Sequence, residues 1–385
     1  MIPYGRQSIS KNDIKLVVDV LKSDFITQGP ILDKFEDNLA SKVDAKYAVA
    51  SNSATSSLLI SCLALGLSKG DTLWTSPNSF VASANCALHC GAKIDFVDID
   101  LDTGNISLER LNEKLISAKK TNKLPKIIIP IHYAGQPTNQ KEIWKLSKKY
   151  GFKIIEDASH SLGAHYQNEK VGSCKWSDIT VFSFHPVKII TSCEGGISTT
   201  NTKSVKEKMN LYRSHGITKD PSKFTTKNGP WHYEQQLLGY NFRMSDVHAA
   251  LGLSQLNRLD SFIKKRNSIA KRYNAKLESS NLQLPFVKND TVSSFHLYVV
   301  QILNKNFKSA HNKIFKSLRS AGIGTNVHYI PIHLHPYYKK IGFKNGDFPN
   351  SEKFSSRALS LPIYFDLTNK EQDFVVDTLL KILEQ

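Results

Sequence analysis

Three short stretches carry side chains that could do chemistry together. In 182-FSFHPVK-188, Lys188 follows an apolar strand-like run by four residues, and Pro186 stiffens the turn between them. A lysine held partly out of water beside a positive charge has a lowered pKa, so its amine can bond to a carbonyl carbon and later shuttle protons. In 154-IIEDASH-160, Asp157 ends an apolar run, where an unpaired carboxylate is costly to bury. A pyridinium nitrogen would supply the missing cation, and the pair would keep that ring protonated as an electron sink. In 51-SNSATSS-57, hydroxyls and small residues open a helix and suit a phosphate held by backbone N–H groups. Each stretch has a plain alternative: a surface lysine in a loop, a capping aspartate at a strand end, a Ser/Asn helix cap. In this order, a phosphate cradle, a strand-end aspartate and a lysine make a pyridoxal phosphate site.

Such a site needs strands to end on and helices to start from. In 54-ATSSLLISCLALGL-67 the apolar residues recur with helical spacing, and Gly70-Asp71 leads into a strand over 72–76. A helix over 79–90, a strand over 93–99, a helix near 107–117, a strand over 126–135, a helix over 139–150 and strands over 152–158 and 178–184 are expected next. Short apolar strands separated by amphipathic helices predict an α/β fold with a mostly parallel sheet covered on both faces. Ligands of such sheets bind beyond the carboxyl ends of the strands, where the three stretches lie. Residues 216–240 are polar and loop-like, and Ser245 and Asp246 cap a long helix running through Ile263. A strand over 295–303 and a closing helix near 369–384 read as a smaller α+β domain. The expected division is an N-terminal arm over 1–30 near the site, a large cofactor-binding α/β domain over 31–250 and a small C-terminal domain over 251–385.

Composition narrows the partners. With 385 residues, 40% hydrophobic and 22% charged, the chain suits a soluble globular protein of two or three domains. No apolar run approaches the roughly 18–20 residues of a membrane span, and MIPYGRQSISKND lacks a basic-then-apolar signal, so a cytoplasmic protein without a membrane partner is expected. Five cysteines are few and odd in number, which argues against a disulfide framework. Cys86 and Cys90, i,i+4 on a helix with no matching pair nearby, read as small buried residues and not as metal ligands. The net charge of +17 comes mostly from lysines scattered along helices such as 141-KEIWKLSKKYG-151. That pattern is a solvated basic surface; an anionic small molecule would gain from it, and a nucleic-acid partner is not expected.

The chain resembles the DegT/DnrJ/EryC1/StrS sugar aminotransferases, which have the aspartate aminotransferase type of fold, fold type I of the pyridoxal phosphate enzymes. The likeness runs from 2-IPYGRQSI-9 and 26-ITQGP-30 through 155-IEDASHSLGA-164, 183-SFHPVKIITSCEGG-196 and 240-YNFRMSDVHAALG-252 to 324-GTNVHYIPIHLHPYY-338. It implies that Lys188 is the covalent anchor of the cofactor and that Asp157 pairs with the pyridine nitrogen. It also implies that His160 contacts the phenolic oxygen side of the ring, that Phe80 stacks on the ring, and that Ala54, Thr55 and Ser183 bind the phosphate. Asn241 would reach the phosphate site of a neighbouring subunit, making the active unit a homodimer with shared sites. Tyr4, Thr27, Gly29, Arg243 from the partner chain, His328 and Tyr329 would line a nucleotide-sugar pocket, with the Arg243 fork suited to a diphosphate.

Within the family the likeness is to members that move an amino group from L-glutamate to the C4 ketone of a UDP-linked 4-keto-6-deoxy-HexNAc, an L-sugar of the pseudaminic acid pathway. The products would be the UDP-4-amino sugar and 2-oxoglutarate. A 3-aminotransferase or a D-sugar 4-aminotransferase would share every cofactor residue and differ at the pocket ends, Tyr4, His328 and His333. A non-catalytic binding or regulatory protein on this fold would lack the lysine or the strand-end aspartate, and both are present. The lysine also separates the chain from the branch in which histidine replaces it and a hydroxyl is removed. One position departs from the family pattern: Cys193 stands where a Gly or Ala is expected.

Overall fold

In the computed structural model, which describes residues 1–226, 228–303 and 307–384, the alternation of apolar strands and amphipathic helices builds one seven-stranded sheet. Its strands are β1 (Tyr47–Ser51), β2 (Thr72–Thr75), β3 (Lys93–Phe96), β4 (Ile127–Ile129), β5 (Lys153–Asp157), β6 (Ile179–Ser183) and β7 (Gly196–Thr200), in the spatial order β1-β7-β6-β5-β4-β2-β3. Only β7 runs against the others, pairing antiparallel with β1 and β6; the remaining pairs are parallel. Among the described residues, nine α-helices precede the C-terminal part: α1 (Lys11–Leu21), α2 (Pro30–Lys42), α3 (Ala54–Ala64), α4 (Ala82–His89), α5 (Leu108–Lys120), α6 (Gln140–Tyr150), α7 (Lys203–Arg213), α8 (Asp246–Leu256) and α9 (Leu259–Leu277).

Both faces of the sheet are covered, and β4 shows how. Ile127 and Ile129 pack with Leu58, Ile60 and Ala84 of α3 and α4, whereas Ile128 packs with Leu111, Leu115 and Ile143 of α5 and α6. Successive residues of a strand point to opposite faces, so an unbroken apolar run feeds both cores. Each such side chain contributes about 1.5–3 kcal/mol by leaving water. A further core, built on Phe35, Phe182, Phe184 and Ile197, lies under α2 and α8.

The C-terminal part holds an antiparallel sheet of Leu282–Gln283, Tyr298–Ile302 and Ala358–Leu361. Its core of Tyr298, Leu318, Leu361 and Val375 also takes in Ile269, Tyr273 and Leu277 of α9, while Leu259 and Phe262 at the other end of α9 belong to the large core. Residues 1–4 pack on this part: Ile2 forms a parallel bridge with Ile323, and Gly324 N–H donates to the Ile2 carbonyl (2.6 Å). The chain then returns to the large sheet through α1, where the buried Asp13 carboxylate accepts from Ser254 (2.6 Å), Gln255 (2.7 Å) and Arg258 (3.2 Å).

Several expected elements have different limits. The strand expected over 126–135 ends at Ile129 because Pro130 lacks an N–H, and a 3-10 turn at Tyr133–Gly135 follows with Ala134 at φ 56°. The long helix expected from Ser245 breaks at Asn257–Arg258 into α8 and α9, which places Arg258 against Asp13 and the Ser8 carbonyl. The polar stretch 216–240 contains a short ladder of Ile217–Thr218 with Glu234–Gln235 and a 3-10 turn at Pro221–Lys223.

Candidate active site

The N-terminus of α3 is fixed from behind. Glu36 accepts from the Ala50 N–H (2.7 Å) and from Arg213, which also donates to the Ala50 carbonyl (2.8 Å), so the end of β1 is pinned just before the helix starts. Ser53 caps α3 by accepting from the Ser56 N–H (3.2 Å), and Ala54 and Thr55 begin the first turn at the wall of a cleft. First-turn N–H groups have no intrahelical partner and favour an anion. Opposite them lies Gly196, the first residue of β7. A Cβ there would stand 2.4 Å from Ala54 N and 2.5 Å from Ala54 Cα. The second glycine of Glu-Gly-Gly thus leaves the space that a phosphate needs at this turn. We predict that Gly196→Ala folds but binds pyridoxal phosphate about tenfold or more weakly, since overpacking here costs about 1–3 kcal/mol; fluorescence titration of the cofactor checks it.

The cleft, about 530 Å³ in volume, opens beyond the carboxyl ends of β5 and β6. Asp157, the last residue of β5, is buried, and its Oδ2 accepts from Ser83 of α4 (2.6 Å) while Oδ1 accepts from the Ser159 N–H (3.1 Å). Lys188 is half-buried in the turn after β6, anchored by its N–H to the His185 carbonyl (2.9 Å). Burial brings its amine down to about 8, although the Asp157 carboxylate pulls the other way. A carboxylate and an easily deprotonated amine therefore face one space above an anion-binding helix start. These groups fit pyridoxal phosphate: Ala54, Thr55 and Ser183 for the phosphate, Asp157 for the ring nitrogen, Lys188 for the aldehyde carbon.

On the far wall, His160 is buried and its Nδ1 accepts from the Ala134 N–H (3.3 Å). Burial and the nearby Lys188 push its pKa well down, so the ring is neutral. A neutral imidazole with Nδ1 as acceptor carries its proton on Nε2, which then donates to Tyr329 Oη (3.0 Å). That bond leaves the Tyr329 hydroxyl proton free for a ligand in the cleft. Burial raises the Tyr329 pKa, so the phenol stays protonated and acts as a donor. By the same reasoning His328 Nε2 accepts from Asn326 (3.4 Å) and Nδ1 donates to Ser360 (2.7 Å); burial lowers its pKa to about 3.

Ala54, Thr55, Phe80, Asp157, His160, Ser183, Lys188, Tyr4, His328 and Tyr329 all line this one cleft. Thr27, Gly29, Asn241 and Arg243 do not line it. Thr27 bridges Ser245 and the Gly29 N–H donates to Asp246 (2.8 Å), so both pack at the start of α8, while Asn241 bridges Ser214. His333 is also outside the cleft, which corrects its expected place at the pocket end. It is buried against Phe348 and bonded to Glu352 (2.9 Å), because the 3-10 turn Ile332–Leu334 tucks inward. Sequence reasoning missed Ser83, Ser159, Glu194 and His296, all of which line the cleft. Ser83 had a signal, a hydroxyl one turn beyond Phe80 in 77-PNSFVAS-83. His296, whose ring packs on His160 at 4.3 Å, had none, since it stands at the start of an otherwise apolar strand. Cys193, unassigned from sequence, has φ 66°, a left-handed conformation that explains why glycine suits the position.

The sequence pattern of the DegT/DnrJ/EryC1/StrS aminotransferase family matches residues 7–380. A Campylobacter jejuni protein described as UDP-4-amino-4,6-dideoxy-N-acetyl-beta-L-altrosamine transaminase is 38% identical over 386 residues, covering 100% of this chain and 98% of that protein. Among solved structures, Helicobacter pylori PseC, an aminotransferase involved in the biosynthesis of pseudoaminic acid, is 35% identical with a TM-score of 0.90, covering 100% of this chain and 99% of that one. Spr1654 from Streptococcus pneumoniae, described as a sugar aminotransferase in its PLP-form, is 28% identical with a TM-score of 0.89, covering 100% and 98%.

Proposed function

The chain belongs to the DegT/DnrJ/EryC1/StrS aminotransferase family and is a pyridoxal phosphate-dependent sugar aminotransferase; from that premise we propose that it moves an amino group from L-glutamate to the C4 ketone of a UDP-linked 4-keto-6-deoxy-HexNAc, an L-sugar of the pseudaminic acid pathway. The observation that carries the chemistry is Lys188 and Asp157 opening on one cleft beside the start of α3. The choice of sugar rests on likeness to the Campylobacter and Helicobacter proteins.

Pyridoxal phosphate, when bound, supplies the carbonyl that takes up the amino group and the ring that draws off the electron pair left when a Cα proton departs. Lys188 removes that proton from the donor amino acid and later delivers one to C4 of the sugar. The face from which it delivers fixes the configuration of the new amine. Asp157 holds a positive charge at the ring nitrogen, and Tyr329, oriented by His160, offers its proton as a hydrogen bond to an oxygen in the cleft.

We read the active unit as a homodimer. Thr27, Gly29, Asn241 and Arg243 would then complete the partner's pocket, with Asn241 at its phosphate and Arg243 at the nucleotide diphosphate. The exposed apolar side chains of Ile14, Val18 and Leu21, spaced along one face of α1, support this, because an exposed apolar stripe is normally covered. Residues 1–30 would be the arm that brings Tyr4 to the site, 31–250 the cofactor-binding domain and 251–385 the small domain. No helix among the described residues is long and apolar enough to cross a membrane, in keeping with a cytoplasmic enzyme.

The deciding experiment supplies L-glutamate and the UDP-4-keto-6-deoxy-HexNAc epimers, then assigns the product by NMR. Amine at C4 of the L-configured sugar, with 2-oxoglutarate formed in equal amount, is the expected result. Amine at C3, or turnover of the D-configured ketone alone, would replace this reading by the 3-aminotransferase or D-sugar one.

A further inference from the structure

Asp157 is tied to α4 by a run of two serine hydroxyls. The Ser83 N–H donates to the Phe80 carbonyl (3.3 Å), so the helical turn leading into α4 already begins at Phe80 and brings Ser79 and Ser83 to one side. Their Oγ atoms are 2.9 Å apart, and Ser83 Oγ stands 2.6 Å from Asp157 Oδ2. Ser79, Ser83 and Asp157 are all buried in the wall of the cleft. Counting protons gives the direction of the run. An ionised carboxylate only accepts, so the one hydroxyl proton of Ser83 goes to Oδ2, and the bond between the serines is donated by Ser79. Ser83 thus accepts one bond and donates the next, and the two strengthen each other. With the Ser159 N–H on Oδ1 (3.1 Å), both carboxylate oxygens are held and each keeps a lone pair for a further donor.

We infer that Ser79 and Ser83 are positioning residues that keep the proton between Asp157 and the cofactor's ring nitrogen on the nitrogen. The inference rests on the reading of Asp157 as the partner of that nitrogen. A carboxylate and a pyridine nitrogen that face each other share one proton in two ways: on nitrogen, which leaves two opposite charges, or on oxygen, which leaves none. Burial favours the uncharged arrangement. A hydrogen bond donated to the carboxylate favours the charged one, and bonds to charged groups are the strong ones. Without the Ser83 hydroxyl the balance moves about tenfold to a hundredfold toward the oxygen. Only the charged arrangement leaves the ring a strong electron sink, so the two serines govern the loss of the Cα proton by way of Asp157.

The test loads the full-length protein with pyridoxal phosphate labelled with nitrogen-15 in the ring, whose NMR signal at neutral pH reads where the proton lies. The wild-type signal should stand at the pyridinium end, and Asp157→Asn, which has no carboxylate to offer, marks the neutral end. Ser83→Ala should move the signal toward the neutral end and slow bleaching by L-glutamate about tenfold to a hundredfold. Ser79→Ala, in which Ser83 still donates to Asp157, should move both readouts in the same direction by less. Because Ser79 acts through Ser83, the double variant should match Ser83→Ala alone. A wild-type signal at the neutral end would remove the pairing of Asp157 and this inference together. A pyridinium signal that Ser83→Ala leaves in place, or a double variant shifted well beyond Ser83→Ala, would overturn this inference and leave the pairing standing. If Ser83→Ala does not take up the cofactor, Ser79→Ala decides by itself, and an unmoved signal in that protein overturns the inference.

Discussion

Lys188→Ala is expected to lower amine transfer by about 10⁴-fold or more while leaving the fold intact, because one side chain serves as both covalent anchor and proton carrier. The physical basis is its environment. An ordinary lysine, with a pKa near 10.4, is unprotonated in about one molecule in a thousand at pH 7.5. With the pKa brought down to about 8, the unprotonated fraction is about a quarter at that pH. Burial makes the difference, against the opposing pull of Asp157. As pH rises through about 8 the amine passes from mostly protonated and unreactive to mostly free. Acylation of the cofactor-free protein should therefore label Lys188 with a midpoint near pH 8, well below that of the surface lysines. A midpoint above pH 10 would remove the basis for its role, whatever the activity of the variant. As a second readout, the wild-type protein with pyridoxal phosphate should be yellow and bleach with L-glutamate, and Lys188→Ala should not bleach.

What could be read from residues alone follows from how local each signal is. β4, β5 and β6 centre on branched and aromatic residues with polar residues at their ends, so both the strands and the positions of Asp157 and Lys188 were legible. β1 and β7 were not: YAVAS and GISTT are short, mixed stretches whose strand character comes from pairing with each other across the sheet, between segments far apart in sequence. The role of Gly196 was hidden for the same reason, since the atoms that forbid a side chain there belong to Ala54. His333 and His328 looked equivalent in 324-GTNVHYIPIHLHPYY-338, and only the inward turn at Ile332 sends one to the cleft and the other to Glu352. Thr27 and Gly29 lie more than 200 residues before the start of α8 yet pack on it through the Thr27–Ser245 bridge and the Asp246 carboxylate, a long-range pairing no local pattern encodes. The chemistry was legible because it sits at strand ends, and its support was not because it is tertiary.

Asp157→Asn isolates the charge from the shape. The amide fills the same volume and can keep both local bonds, its oxygen accepting from the Ser159 N–H and its NH₂ donating to Ser83 Oγ, which already shares a hydrogen bond with Ser79. The fold should therefore survive with the melting temperature little changed. What is lost is the negative charge that would face the cofactor's ring nitrogen, and removing one member of a buried charge pair costs about 3–5 kcal/mol. Expressed in the transition state, that is a fall of about 10²- to 10⁴-fold in kcat. A second effect has a definite sign. The Asp157 carboxylate raises the Lys188 pKa against the effect of burial, so its removal should move the Lys188 labelling midpoint below 8, toward more acidic pH. A merely structural aspartate would move neither kcat so far nor that midpoint in that direction. If Asp157→Asn kept wild-type turnover and an unshifted midpoint, the ion pair between Asp157 and the cofactor would have to be abandoned.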